Sequence, residues 1–223
     1  EKSTFFKAIV VLYINYECNE RDLMMVAKKF KSINYNFFHW GPFLYKTSLT
    51  KEEINFVKKL CSKKSKDYRK NLAGLIKHEH EVNVKKLFPI LAPYFNSYAK
   101  SFIEYTGKIL GNKIELIQAW VNYMTKFESN PIHTHDEDLS FVIFTQVPKE
   151  LEKECMESVG NTKPGAINFL YSLEAKETLI NEHTFFPSVG DFFIFPTSLH
   201  HYVNSFKCKG ERISISGNLK ISK

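Results

Sequence analysis

The sequence predicts an α+β fold in which helices come first and the strands of a β-barrel or jelly roll come after them, the helices bracing one outer face of the barrel. Three observations predict it. A capping box near Thr50 opens an amphipathic segment, apolar residues recur at near-helical spacing from Leu87 to Phe102, and beyond Gly111 the chain breaks into short apolar or alternating runs bounded by Gly, Pro, Asn and Ser.

Taken in order, the first forty residues carry no usable motif. Their apolar run Ala8 to Ile14 is too short to span a bilayer and no small-residue cleavage site succeeds it, so it reads as a buried strand or short apolar segment of an N-terminal extension over 1–40. Thr50 with Glu53 forms the capping box, and Ile54, Val57, Leu60 and Cys61 then share one face, which predicts a helix from Lys51 to about Ser62. After a basic loop from Lys63 to Lys70, Leu87, Leu91, Phe95, Tyr98 and Phe102 predict a longer helix ending at Gly107, with Pro89 and Pro93 confining its regular part to the residues beyond them. Strands are predicted over Ile114 to Met124, Leu139 to Val147, Ala166 to Tyr171, Asp191 to Phe195 and Arg212 to Asn218. A helical part over 48–110 thus precedes a β core over 113–220.

Composition bounds the function. With 223 residues, 43% hydrophobic and 25% charged, the chain suits one sizeable core and excludes a disordered or collagenous protein. The net charge of +7 is spread along the chain, densest at Lys63, Lys64, Lys66, Arg69 and Lys70, which points first to solubility; nucleic acid is a partner that this patch permits without indicating it. Cys18, Cys61, Cys155 and Cys208 have neither zinc-knuckle nor disulfide-scaffold spacing, as expected of reduced thiols in a cytoplasm. No membrane association is expected.

The chemistry-bearing residues lie in two stretches: Pro131-Ile132-His133-Thr134-His135-Asp136-Glu137-Asp138, and His200-His201-Tyr202-Val203 with Arg212-Ile213-Ser214-Ile215-Ser216 beyond it. A ferrous ion that activates O2 needs protein ligands on one side and open positions on the other, and two His with one carboxylate are the usual donors. The first stretch offers that set in several ways, as His-x-His, as His135 with Glu137, or as His135 with Asp138. In an extended strand His133 and His135 point to the same side. Arg212, Ser214 and Ser216 likewise share one face, opposite Ile213 and Ile215. An arginine and serine face on a core strand suits a bound anion, and the far carboxylate of 2-oxoglutarate is the natural occupant, a buried salt bridge to a core acid being the structural alternative.

Together these residues resemble the superfamily of 2-oxoglutarate- and Fe(II)-dependent oxygenases, and within it the oxygenases of marine bacteriophages and some bacteria. The resemblance rests on Ala119-Trp120-Val121-Asn122, Pro131 to His135 with Asp138 to Val142, Gly190 to Pro196, His201 to Val203 and Arg212 to Asn218, with weaker likeness at Gly41 to Lys46 and Asn71 to Gly74. It runs from about Gly41 to Leu219 and implies an oxygenase domain over 41–223 built on a double-stranded β-helix (jelly roll).

By that resemblance the iron ligands are His135, Asp138 and His201, with Glu137 and His133 as alternates. His201 is preferred to His200 by its place two residues before a Val, and Asp138 by its place before Leu-Ser. Arg212 and Ser214, with Tyr123 a further candidate, hold 2-oxoglutarate. The implied reaction is hydroxylation by O2 of a protein side chain, a nucleobase or a small molecule, with release of succinate and CO2, in a host cytoplasm if the source is a phage. The competing readings are a metal-free jelly-roll binding module or virion structural protein, a nucleic-acid-binding protein using the basic patch, and a cupin-type dioxygenase that needs no 2-oxoglutarate.

Overall fold

In the computed structural model, residues 41–159, 163–172 and 181–222 are described; the N-terminal extension, with its Ala8 to Ile14 run and Cys18, lies outside them. Strand β1 (Tyr45–Ser48) leads into helix α1 (Lys51–Leu60), and a single 3-10 turn (Arg69–Asn71) and strand β2 (Glu79–Glu81) precede helix α2 (Val84–Thr106). Strands β3 (Lys113–Met124), β4 (Asn130–His133) and β5 (Leu139–Gln146) come next, then helix α3 (Lys149–Glu157) and strands β6 (Ile167–Leu170), β7 (Glu182–Phe185), β8 (Asp191–Pro196), β9 (His200–Val203) and β10 (Arg212–Ser222).

The strands form a six-stranded antiparallel sheet in the order β1-β8-β5-β10-β3-β2 and a four-stranded one in the order β4-β9-β6-β7. From β3 onward successive strands alternate between the two sheets except where β6 and β7 pair as neighbours, which is the winding of a double-stranded β-helix, or jelly roll. The short strands β1, β2, β4, β7 and β9 and helix α3 are additions to the elements read from the sequence, and β1 and β2 fall in or beside the part expected to be helical. Runs of three or four residues are too short for a period of two to stand out.

Two cores flank the larger sheet. Ile54 and Val57 of α1 and Leu87, Leu91, Phe95 and Tyr98 of α2 pack on Val121, Tyr123, Phe141, Ile143, Phe192, Ile194 and Ile215, so the helices cover its outer face. Met124, Val142, Phe144, Phe193 and Phe195 on the inner face meet Ile167, Phe169, Leu199 and Val203 of the smaller sheet and its connections. Alternation along β10 divides the same strand between these layers: Ile215 joins the helical core, while Arg212, Ser214 and Ser216 face inward.

Helix α1 starts as read, with Thr50 Oγ1 accepting from Glu53 N–H and Glu53 Oε2 accepting from Thr50 N–H. Helix α2 is longer than its prolines suggested, beginning at Val84 after an Asn83 cap and containing both Pro89 and Pro93. The carbonyls those prolines leave without an N–H partner belong to Lys85 and Pro89, and Lys85, Pro89 and Pro93 are all exposed, so water can satisfy the freed groups while Leu87, Leu91 and Phe95 hold the buried face. Gly107 ends it in the left-handed region at φ 69°. No helix among the described residues is long and apolar enough to cross a membrane.

Candidate active site

A cavity of about 220 Å3 opens between the sheets. Its walls carry His133, His135 and His201, the β10 residues Arg212, Ser214 and Ser216, the β3 residues Trp120, Asn122 and Met124, and Glu79 of β2.

The register of β4 against β9 sets His133 directly opposite His201, and their rings lie 4.2 Å apart between centroids. His135, just past the end of β4, is held by its backbone N–H donating to Thr197 O and brings its Nε2 to 3.3 Å from His201 Nε2. Among the described residues these three histidines form the one group of His, Cys, Asp and Glu donors close enough to share a metal ion, their ligand atoms all within 4.8 Å of one another.

Hydrogen bonding fixes which nitrogens are free. His201 Nδ1 lies 2.9 Å from Leu199 O and His133 Nδ1 lies 2.7 Å from Pro131 O; a carbonyl only accepts, so each Nδ1 carries the proton and each neutral ring keeps a lone pair on Nε2. Burial keeps all three rings neutral at physiological pH. It lowers the His135 pKa to about 4, moves His201 well below the ordinary imidazole value and lowers His133 as well. Neutral imidazoles are the form that binds a metal. Two imidazole nitrogens each about 2.1 Å from one ion would stand roughly 3.0–3.4 Å apart, and the His135–His201 separation falls in that interval.

Arg212 supplies the charge of the cavity. Its side chain is buried, with Nη1 3.8 Å from Met124 Sδ and its guanidinium carbon 4.6 Å from the centre of the Phe144 ring, while Nε and Nη2 have no hydrogen-bond partner. Burial without a counter-ion pushes its pKa down to about 9. The salt bridge to a core acid, weighed from sequence, is absent among the described residues, which leaves a directed pair of N–H donors facing the cavity. Ser214 lies two residues along the same face, its Oγ accepting from Asn122 Nδ2 at 3.3 Å.

The carboxylates of the first stretch lie apart from the histidines. Asp138, favoured by the resemblance, is placed just before β5, where its Oδ2 accepts from Ile221 N–H at 2.7 Å and ties down the end of β10. Glu137 Oε2 lies 3.9 Å from Lys220 Nζ, and Asp136 is exposed. The turn after His135 hydrogen-bonds through its backbone to Thr197 and Leu219, which directs these side chains away from the cavity. The donor set that the fold assembles is therefore the His-x-His alternative, with His133 beside His135 and His201.

Tyr123 also falls elsewhere. Along β3, Trp120, Asn122 and Met124 line the cavity, so by alternation Tyr123 points to the helical core, where Lys63 Nζ sits 4.9 Å from its ring centre. The residue reaching the cosubstrate wall is its neighbour Asn122, register partner of Ser214, and the period-two rule applied to β3 singles it out. Glu79 and Asn130 escaped sequence reading because the short strands that carry them gave no periodic signal.

Residues 118–218 match the model of a family described as "Putative 2OG-Fe(II) oxygenase". No curated protein matches the chain. Among solved structures, a prolyl-4-hydroxylase from Pseudomonas putida superposes with a TM-score of 0.52 at 14% identity, covering 81% of this chain and 93% of that one. A viral collagen prolyl hydroxylase from Paramecium bursaria Chlorella virus 1, solved as its 2OG complex, does so with a TM-score of 0.51 at 12% identity, covering 81% and 96%. The likeness to both is one of fold, the jelly roll.

Proposed function

We propose that this chain is a non-haem Fe(II)- and 2-oxoglutarate-dependent oxygenase in which His133, His135 and His201 hold the metal and Arg212, with Ser214 beside it, receives the far carboxylate of 2-oxoglutarate. The match over 118–218 supports the family and with it both cofactors. The observation that carries the reading is the Arg212 guanidinium, buried, with two unpartnered N–H groups on the wall of the cavity that holds the three neutral imidazoles. A cation with nothing to pair with is costly in a protein interior and becomes intelligible as half of an ion pair completed by an anionic ligand.

Bound ferrous iron would supply O2 activation coupled to decarboxylation of 2-oxoglutarate, giving succinate, CO2 and an oxidised substrate. The chain's own part is orientation and exclusion of water. Leu199 O and Pro131 O fix the tautomers of His201 and His133, so that two Nε2 lone pairs are available without prior loss of a proton. Phe141, Val142, Ile167, Phe195 and Val203 make the remaining wall apolar, which strengthens the charge–charge contact at Arg212. The substrate is taken to be a protein side chain, a nucleobase or a small molecule.

The test is anaerobic titration with Fe(II) and then 2-oxoglutarate. A visible metal-to-ligand charge-transfer band that appears only with both, and succinate formation on admitting O2, are expected. A protein that binds neither Fe(II) nor 2-oxoglutarate would end the proposal.

A further inference from the structure

The cavity holds a second unpaired acid–base group that binding of the metal and of 2-oxoglutarate leaves unused. Glu79 is 1% exposed and lines the same cavity as Arg212 and the histidines, yet its Oε2 has no hydrogen-bond partner and it joins no ion pair among the described residues. Its register partner across β2 and β3 is Asn122, whose amide nitrogen donates toward Ser214 and Ser216 and whose Oδ1 is likewise buried and unpartnered. Two acceptors without donors thus stand side by side.

The backbone makes room for them. A Cβ on Gly74 would come within 2.7 Å of Glu79 Oε1, so glycine there leaves the carboxylate its place. Trp120, stacked on Tyr68 at 5.8 Å, adds an indole to the same lining. Burial is the main cause that raises the Glu79 pKa, to about 7; the Glu128 and Asp67 carboxylates add to the rise and the Arg69 guanidinium opposes it. Glu79 and Arg212 share a cavity but form no ion pair, although an arginine and a glutamate serving stability alone would be expected to pair. Held apart, the donors of Arg212 suit an anion and the acceptors near Glu79 suit a group rich in N–H.

We propose that Glu79, with Asn122 beside it and Trp120 in the same wall, recognises the substrate, and that the group it takes is a cationic nitrogen, an ammonium or a guanidinium. A carboxylate and an amide oxygen offer the paired acceptors such a group needs, and an aromatic ring favours the same charge. This rests on the assignment of Arg212 to 2-oxoglutarate, which leaves Glu79 free for the second ligand.

The probes are n-butylguanidinium and n-butylammonium, with 1-pentanol as the neutral counterpart, each tested by ligand-observed NMR on the full chain loaded with Zn(II) and 2-oxoglutarate at pH 8, where Glu79 is largely ionised. At least one cation is expected to bind about tenfold or more tightly than the alcohol, and Glu79→Gln to remove that preference. Gly74→Ala, whose methyl displaces the carboxylate, is expected to weaken the cation by a similar factor while leaving the 2-oxoglutarate affinity unchanged, and it serves as the second variant should Glu79→Gln not fold. Equal binding of cation and alcohol, or a cation preference that survives both substitutions, overturns the inference alone if the same samples bind 2-oxoglutarate. Failure of the wild type to bind 2-oxoglutarate overturns this inference together with the proposed function.

Discussion

His135 Nε2 and His201 Nε2 face each other at 3.3 Å, and the second of them carries a lone pair because His201 Nδ1–H donates to Leu199 O. Two neutral acceptors cannot share that gap. It is closed either by a proton on His135 Nε2 or by a cation common to both rings. Because burial disfavours protonating the rings to imidazolium, a divalent ion is the stronger solution. Metal binding should therefore stabilise the fold: at a free metal concentration about a hundred times Kd, unfolding should cost roughly 2.7 kcal/mol more. Replacing His133, His135 or His201 singly with Ala should abolish that gain, as read by thermal melts with and without Fe(II) or Zn(II) under argon.

Asp138 should behave differently. Its carboxylate bonds the Ile221 N–H at 2.7 Å and is outside the histidine group, so Asp138→Ala should leave metal affinity within about twofold while costing about 0.5–1.5 kcal/mol of stability. Metal titration and urea unfolding of the same variant separate the two effects. Loss of metal binding in a folded Asp138→Ala protein would return the carboxylate to the ligand set.

Arg212 carries the opposite signature, function at the expense of stability. Its Nε and Nη2 are unpartnered and its pKa is pushed down by burial, so Arg212→Met should make the ligand-free protein at least as stable as wild type, by about 1 kcal/mol or more. The same change should weaken 2-oxoglutarate by at least about thirtyfold, since truncating one member of a buried charged pair costs roughly 2 kcal/mol or more. Calorimetric titration and thermal melts with and without 2-oxoglutarate check both halves. The cosubstrate should raise the melting temperature of wild type and leave that of the variant unmoved.

How far the sequence foretells this site depends on periodicity. Period two along β10 separates Arg212 and Ser214 from Ile213 and Ile215, and the structure keeps that division, with serine and arginine toward the cavity and isoleucine toward the helices. The long strands β3, β5, β8 and β10 are legible for the same reason, each having enough residues to display its pattern. His133, His135 and Asp138 are not resolved by pattern. Beyond His133 the chain leaves the strand, and backbone bonds to Thr197 and Leu219 set the later directions. Those partners lie tens of residues away and no local signal announces them. Glu79 is the extreme case, an acid in the polar run His78-Glu79-His80-Glu81 whose burial arises only from the pairing of β2 with β3.

That burial gives Glu79 a measurable effect on stability. Its pKa rises from an ordinary 4.5 to about 7 in the native protein, chiefly by desolvation. Below about pH 4.5 the carboxyl is protonated in both states and contributes no pH dependence. As pH climbs toward 7 the unfolded chain releases this proton while the native state retains it, so native stability falls. The loss levels off above pH 7, where both states are ionised, and amounts to about 3 kcal/mol at roughly 1.36 kcal/mol per unit of difference. Glu79→Gln removes the titrating group and keeps the shape. Its stability relative to wild type, measured by urea unfolding of the ligand-free proteins, should therefore grow by about 2–3 kcal/mol between about pH 5 and pH 8, a trend that a merely steric effect of the substitution would leave flat.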